Sequence, residues 1–263
     1  MKNKRLAIFL IIFVFLAVFV VLSSTIFSLK KVEVRFMSTT SVLTNTEDAM
    51  IESGHFKYGE NMFMLSKKIY TNNLEKNNPY LKVVNLETIF PNKLIVNAVE
   101  RNECYVIKLS NNKYAVTDEE MKVLKILDVY QNTNSNGIQI FNSGLVEQSI
   151  EAGDFFTLDD DYFKVLFNSF REWKISYNDV KAKITSIQLD YEREGQLLIV
   201  MRSGVKIVVQ KSKHQLSDKL NLAFSFYDQT TDKNGNPVDN TKTGTILIAE
   251  TESKIYGLYN PND

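Results

Sequence analysis

The most prominent pattern along the chain is one apolar run, residues 6–29, bounded by Leu6 and Leu29 and free of charged side chains. A helix rises about 1.5 Å per residue, so a run of this length crosses a hydrocarbon core of about 30 Å with some tilt. Residues 6–22 are almost purely aliphatic or aromatic. Ser23, Ser24, Thr25 and Ser28 gather at the far end, where hydroxyls can bond back to helix carbonyls. The run is too long for the apolar region of a cleaved signal peptide, and no small-x-small site follows it. The expectation is an uncleaved single-pass anchor preceded by a short tail, residues 1–5. Lys2, Lys4 and Arg5 lie before the run; Lys30, Lys31 and Arg35 lie after it. Charge alone therefore does not set the orientation. A tail of that size cannot fold, which puts the functional mass after the anchor.

Beyond the run, alternation at Val32, Val34 and Phe36 predicts a strand over 31–36. Thr44-Asn45-Thr46-Glu47 reads as a capping box for a short helix ending near Gly54. Ser66 is the expected cap of a second helix with Leu65, Ile69 and Leu74 on its apolar side, stopped by Asn78-Pro79. Strands over 81–89 and 93–100 flank a Pro91-Asn92 turn. The order β-α-α-β-β makes a compact α+β unit, residues 30–101, with two helices on a three-stranded sheet. From residue 102 the texture changes to short strands: 104–109, 113–116, 123–127, 138–141, 184–191, 196–201, 205–210, 245–249 and 254–259. Two amphipathic helices are expected among them. One covers 158–173, with Phe163, Leu166, Phe167 and Phe170 at helical spacing; the other covers 216–226. Residues 102–263 thus form a mixed, β-rich domain with flanking helices.

Composition narrows the chemistry. The 31 basic and 31 acidic side chains balance, and no basic stretch is dense enough for nucleic acid. With a single cysteine, Cys104, no intramolecular disulfide is available. His55 and His214 lack a second ligand at helical spacing. Ser110-Asn111-Asn112-Lys113 and Lys242-Thr243-Gly244 spell the S-x-x-K and K-T-G of penicillin-binding acyl enzymes. That chemistry needs the serine at a helix N-terminus, whereas Ser110 falls in a turn between strands. The reading is of a protein that is not an enzyme and takes no cofactor, metal or small-molecule substrate.

Three segments resemble the FtsQ/DivIB family of bacterial cell-division proteins. Tyr58-Gly59-Glu60-Asn61-Met62-Phe63-Met64-Leu65 is similar to the lead into the second helix of the family's POTRA domain. Phe90-Pro91-Asn92 through Glu100-Arg101 is similar to its hairpin, in which a Pro turn feeds a strand ending in Glu-Arg. Tyr114-Ala115-Val116-Thr117-Asp118, followed by Val123-Leu124, is similar to the hairpin opening its next domain, although Glu120-Met121 stands where the family has Gly. The resemblance covers the chain from the anchor onward. It implies a cytoplasmic N-terminus, extracytoplasmic domains, a septal location and a scaffold without catalysis. It also implies FtsB/DivIC-like and FtsL-like partners. A membrane-anchored POTRA interaction protein of envelope or spore assembly is the other reading.

A scaffold works through exposed surface and open backbone. The candidate is the last strand, Lys254, Ile255, Tyr256, Gly257, Leu258 and Tyr259, which alternates and lies near the C-terminus. If it borders its sheet, a partner strand can add to it. Selectivity would come from Tyr256 and Leu258 on one side or Ile255 and Tyr259 on the other. A proline at position 256 is expected to remove a backbone donor. The resemblance points to the same strand.

Overall fold

The computed structural model describes residues 10–15, 18, 25–38, 46–109, 111–130, 137–141, 149–156, 161–174, 176–190, 195–229 and 244–260. The chain divides into two compact units, Met1–Arg101 and Asn102–Asp263.

In the first unit, β1 (Lys31–Phe36), α1 (Glu47–Ser53), α2 (Lys67–Asn77), β2 (Leu81–Ile89) and β3 (Lys93–Glu100) follow one another as expected. The sheet order is β1-β3-β2. Strand β3 lies parallel to β1, with Val34 opposite Val96, and antiparallel to β2, with a bulge between Val83 and Asn85. Helical and strand side chains meet in one core that includes Val32, Met50, Tyr70, Leu74, Leu81 and Val96.

Local details differ from expectation. The cap of α1 is Thr46, whose Oγ1 accepts from the Ala49 amide at 3.3 Å. Ser66 precedes α2 but makes no cap bond; its hydroxyl donates to Glu60 at 2.9 Å. On α2 the buried residues are Tyr70 and Leu74, while Ile69 is exposed. Gly59 has φ +88 with open space around it, so the left-handed backbone is what selects glycine there. The next turn is held by Asn61, whose Oδ1 accepts from the Phe63 amide at 2.9 Å.

Leu29, expected to end the membrane run, is instead fully buried in this core. Its amide donates to the Glu60 carbonyl at 2.9 Å, and the Met62 amide donates to the Phe27 carbonyl at 2.8 Å. Hydropathy cannot separate a span from the first core residues of a domain that follows without a linker. Of the earlier run, residues 10–15 and 18 are helical, with their side chains largely exposed. The remainder of residues 1–24 lies outside the described residues. Among the described residues no helix is long and apolar enough to cross a membrane.

The second unit is a mixed nine-stranded sheet carrying helices. Its elements are β4 (Tyr105–Lys108), β5 (Tyr114–Thr117), β6 (Val123–Leu127), β7 (Ile138–Phe141), α3 (Asp161–Trp173), α4 (Tyr177–Lys183), β8 (Ile184–Asp190), β9 (Gln196–Met201), β10 (Lys206–Val209), α5 (Leu216–Asp228), β11 (Thr245–Glu250) and β12 (Ile255–Asn260). The order across the sheet is β12-β11-β10-β9-β8-β7-β4-β5-β6. Alternate strand residues such as Leu197, Ile199, Ile207, Ile246 and Ile248 join Leu166, Phe170, Leu220 and Phe224 of α3 and α5 in one core. Trp173 stacks on Phe224 at 4.2 Å between centroids. Helix α4 was not expected: with only Val180 buried it shows no apolar period, though Ser176 caps it by accepting from the Asp179 amide. Where the family has Gly in its third motif, Met121 takes the left-handed conformation, φ +65, and is buried. Asp118 Oδ1 holds that turn by accepting from the Glu120 and Lys122 amides at 2.9 and 2.8 Å.

The Glu-Arg ending of β3 is structural. Arg101 is buried, donates from Nε to the Leu81 carbonyl at 3.3 Å, and pairs with Glu75 at 3.0 Å. Arg101→Ala removes a buried charge-assisted bond to Glu75 and the bond to the Leu81 carbonyl, at a cost of about 2 kcal/mol. The expected outcome is faster hydrogen exchange across β2 and β3, with the second unit unaffected.

Candidate functional site

Each sheet has two border strands whose outward N–H and C=O groups need partners. On β1, strand parity turns the Val34 amide outward, and Glu47 Oε1 of α1 accepts it at 3.0 Å. On β2, the outward Val83 amide donates to Glu75 Oε1 at 2.8 Å, and the Leu81 and Leu86 carbonyls accept from Arg101 and Lys67. Charged side chains thus blunt both borders of the small sheet. In the large sheet, β6 begins against the segment 150–156. The Val123 amide donates to the Asp154 carbonyl at 2.8 Å, and the Gly153 amide donates to the Val123 carbonyl at 2.8 Å.

The fourth border is β12, the strand singled out in the sequence. It pairs with β11 on one flank, Leu258 opposite Leu247 and Tyr256 opposite Ala249. Among the described residues no strand lies on its other flank. The hydrogen-bond parity is readable from both sides. Thr251 donates to the Lys254 carbonyl at 2.9 Å, closing a tight turn, and Gln210 donates to the Ile248 carbonyl at 2.9 Å. Alternation from these bonds aims the backbone groups of Tyr256 and Leu258 at β11 and those of Ile255, Gly257 and Tyr259 outward. A proline at position 256 would therefore break the internal ladder, not the free one. The informative positions are the odd-numbered ones.

Side chains sort by the same parity. Ile255 and Tyr259 pack on the core beneath α5. A Cβ at Gly257 would come within 2.8 Å of the Phe226 ring, so the glycine serves close approach of that helix. Tyr256 and Leu258 occupy the opposite face, and Leu258 is 56% exposed. Lys254 lies in the turn before the strand.

The base of this hairpin is tied down. Glu250 Oε2 accepts from Lys219 Nζ and from His214 Nδ1, each at 2.9 Å. Lys219 is fully buried and also donates to the Gln210 and Lys211 carbonyls at 3.1 and 2.8 Å. The hydrogen bonds from His214 first and Lys219 second hold the Glu250 carboxyl at about 2. No sequence signal marked this cluster, since Lys219 and His214 lie 31 and 36 residues before Glu250 and only the fold brings them together.

The catalytic alternatives find little geometry. Ser110, Lys242 and Thr243 lie outside the described residues, and Lys113 pairs with Asp128 at 2.9 Å. Cys104 is buried, and its thiol donates to the Asn102 carbonyl at 3.4 Å. Burial pushes this thiol well above the usual range, and Asp118 and Glu119 add to the shift. His55 is exposed at φ +52, next to the shallow groove between β1 and α1.

Two outcomes are expected. Because Glu250 has a lowered folded-state pKa, its contribution is complete above about pH 5 and fades as pH falls toward 2. The stability gap between wild type and Glu250→Gln, measured by denaturant titration, should shrink over that window. Cys104 should react with a thiol reagent at pH 8 only after denaturation, because the thiolate is the reacting species.

Residues 27–101 match the family of FtsQ-type POTRA domains. The chain is also similar to the protein named cell division protein DivIB of Clostridium botulinum (strain Hall), 23% identical over 232 residues, covering 78% of this chain and 86% of that one. The match at 27–101 spans the small sheet with its two helices. These similarities to an FtsQ-type POTRA domain and to a DivIB protein agree with the resemblance carried by the ordered motifs of the chain.

Proposed function

We propose that this protein is a non-enzymatic, membrane-anchored scaffold of the bacterial division machinery that offers β12 to a partner's strand. The N-terminal tail lies in the cytoplasm and both folded units lie outside, near the septum. The partner at β12 is FtsB/DivIC-like, with an FtsL-like protein in the same assembly, and the complex recruits or controls septal wall synthesis. The observation that supports this reading is the contrast among the four sheet borders. Two are blunted by charged side chains and one is overlaid at its start, whereas β12 keeps outward backbone groups at Ile255, Gly257 and Tyr259. Strand addition uses such groups for affinity and the adjoining side chains for selectivity. Tyr256 and Leu258, on the face away from α5, are the side chains able to select. The clamp of Lys219 on Glu250 keeps the hairpin ordered before a partner arrives, which lowers the entropic cost of binding.

The test compares two substitutions at one position in the full chain. Tyr259→Val removes the ring and keeps the outward amide; Tyr259→Pro removes both. Co-purification with DivIC-like and FtsL-like proteins should fall about tenfold further for the proline than for the valine, the size of one lost hydrogen bond plus an unpaired acceptor. Equal losses would set aside strand addition. Uniform membrane fluorescence of a tagged wild-type chain in dividing cells would set aside the septal role.

A further inference from the structure

The first unit carries an apolar patch at the rim of its core, where half-buried Phe27 meets exposed rings. Phe27, Phe63 and Phe90 come from three separate stretches, yet their rings meet. Centroids are 5.4 Å apart for Phe27 and Phe63, 5.9 Å for Phe27 and Phe90, and 4.9 Å for Phe63 and Phe90. Phe63 is 61% exposed, Phe90 49%, Ile26 45% and Met64 77%. The backbone explains how this arises. The segment 61–64 bonds along 27–29, through the Met62 amide to the Phe27 carbonyl and a bridge between Ser28 and Asn61. That pairing sends Leu29 and Met62 into the core and leaves Phe63 and Met64 outside.

We infer that this patch sits in the lipid interface, so that the base of the small unit rests on the bilayer from which its anchor emerges. Contiguous exposed apolar surface marks a contact site, and the chain itself names the occupant. Ile26 and Phe27 are the last residues of the apolar run before the core begins at Ser28 and Leu29. No linker separates anchor from domain, so Phe63, Met64 and Phe90 lie at the depth where Phe27 leaves the membrane. Phenylalanine and other large apolar side chains on an exposed face bury at the boundary of headgroups and acyl chains. Lys30 and Lys31, both exposed, follow directly and suit the anionic headgroups of a bilayer surface. Seating the unit at Phe63 and Phe90 as well as at the anchor would restrict its tilt. Strand β1 would then lead away from the bilayer, with Met37 about 20 Å farther out.

The inference rests on the apolar run being a membrane anchor, and one experiment separates the two. The full chain in a Trp173→Phe background is reconstituted into vesicles containing anionic phospholipid. A single indole is placed by Phe15→Trp, Phe63→Trp or Met37→Trp. Brominated lipid is the buried quencher and iodide the aqueous one. The expected result is lipid quenching at positions 15 and 63, several-fold stronger than at 37, with iodide quenching in the reverse order. Quenching at 15 with position 63 behaving like 37 overturns the inference and leaves the anchor intact. Position 63 shielded from iodide yet untouched by brominated lipid also overturns it, because protein then covers the patch. Absence of lipid quenching at 15 removes the anchor and the inference with it.

Discussion

A β-sheet ends in two strands whose outward amides and carbonyls are paired on one side only, and the architecture of this protein turns on how those borders are treated. Water can satisfy the groups, but a bare border also invites another strand. On the small sheet, Glu47, Glu75, Lys67 and Arg101 reach the outward groups of β1 and β2. These are charge-assisted bonds from side chains that α1, α2 and the end of β3 supply, so the helices cover the sheet's face and guard its rims together. On the large sheet the start of β6 lies beneath residues 150–156. The treatment of β12 differs: among the described residues no strand lies on its outer flank, Gly257 lets α5 close in on its inner face, and its other face carries exposed Leu258.

An open strand is useful only if it is held in its extended shape. Buried Lys219 braces this hairpin. Its ammonium has three donors and here finds three acceptors, the carbonyls of Gln210 and Lys211 and the carboxylate of Glu250. The bonds join the end of β10, the start of α5 and the end of β11. Ile255 and Tyr259 then anchor β12 on the core below. The hairpin thus inherits the order of the unit, although it lies at the unit's rim.

Much of the fold was legible along the chain because strand and helix periods are local. The alternation of Val32, Val34 and Phe36, the Pro91-Asn92 turn and the phenylalanines of α3 each stand within a few residues of the partners that define them. The errors have equally local causes. Thr44 precedes Glu47 by the capping-box interval, yet Thr46 is the cap and the Glu47 carboxylate goes to β1 instead. Ile69 and Tyr70 are neighbours on α2, and the buried one is decided by the Glu60 carboxylate that receives the tyrosine hydroxyl. Leu29 carries the same hydropathy in a membrane as in a core. Helix α4 has two turns and one buried residue, too little for a period to register.

The chain by itself determined that a strand runs through residues 255–259, that a small α+β unit precedes a β-rich one, and that no intramolecular sulfur crosslink is available. These follow from side-chain period, turn chemistry and the presence of a single cysteine. Only tertiary structure decided that β12 is a border, that its odd-numbered amides face outward, and that Glu75, Arg101, Lys219 and Glu250 are the residues that close or brace the rims. Border position depends on the order in which nine strands assemble, and outward parity depends on the register with β11. Border position arises from pairings between strands far apart in sequence, such as β10 with β11 and β7 with β8, and a local pattern carries no record of them, whereas the outward parity follows from the tight turn that sets β12 on β11.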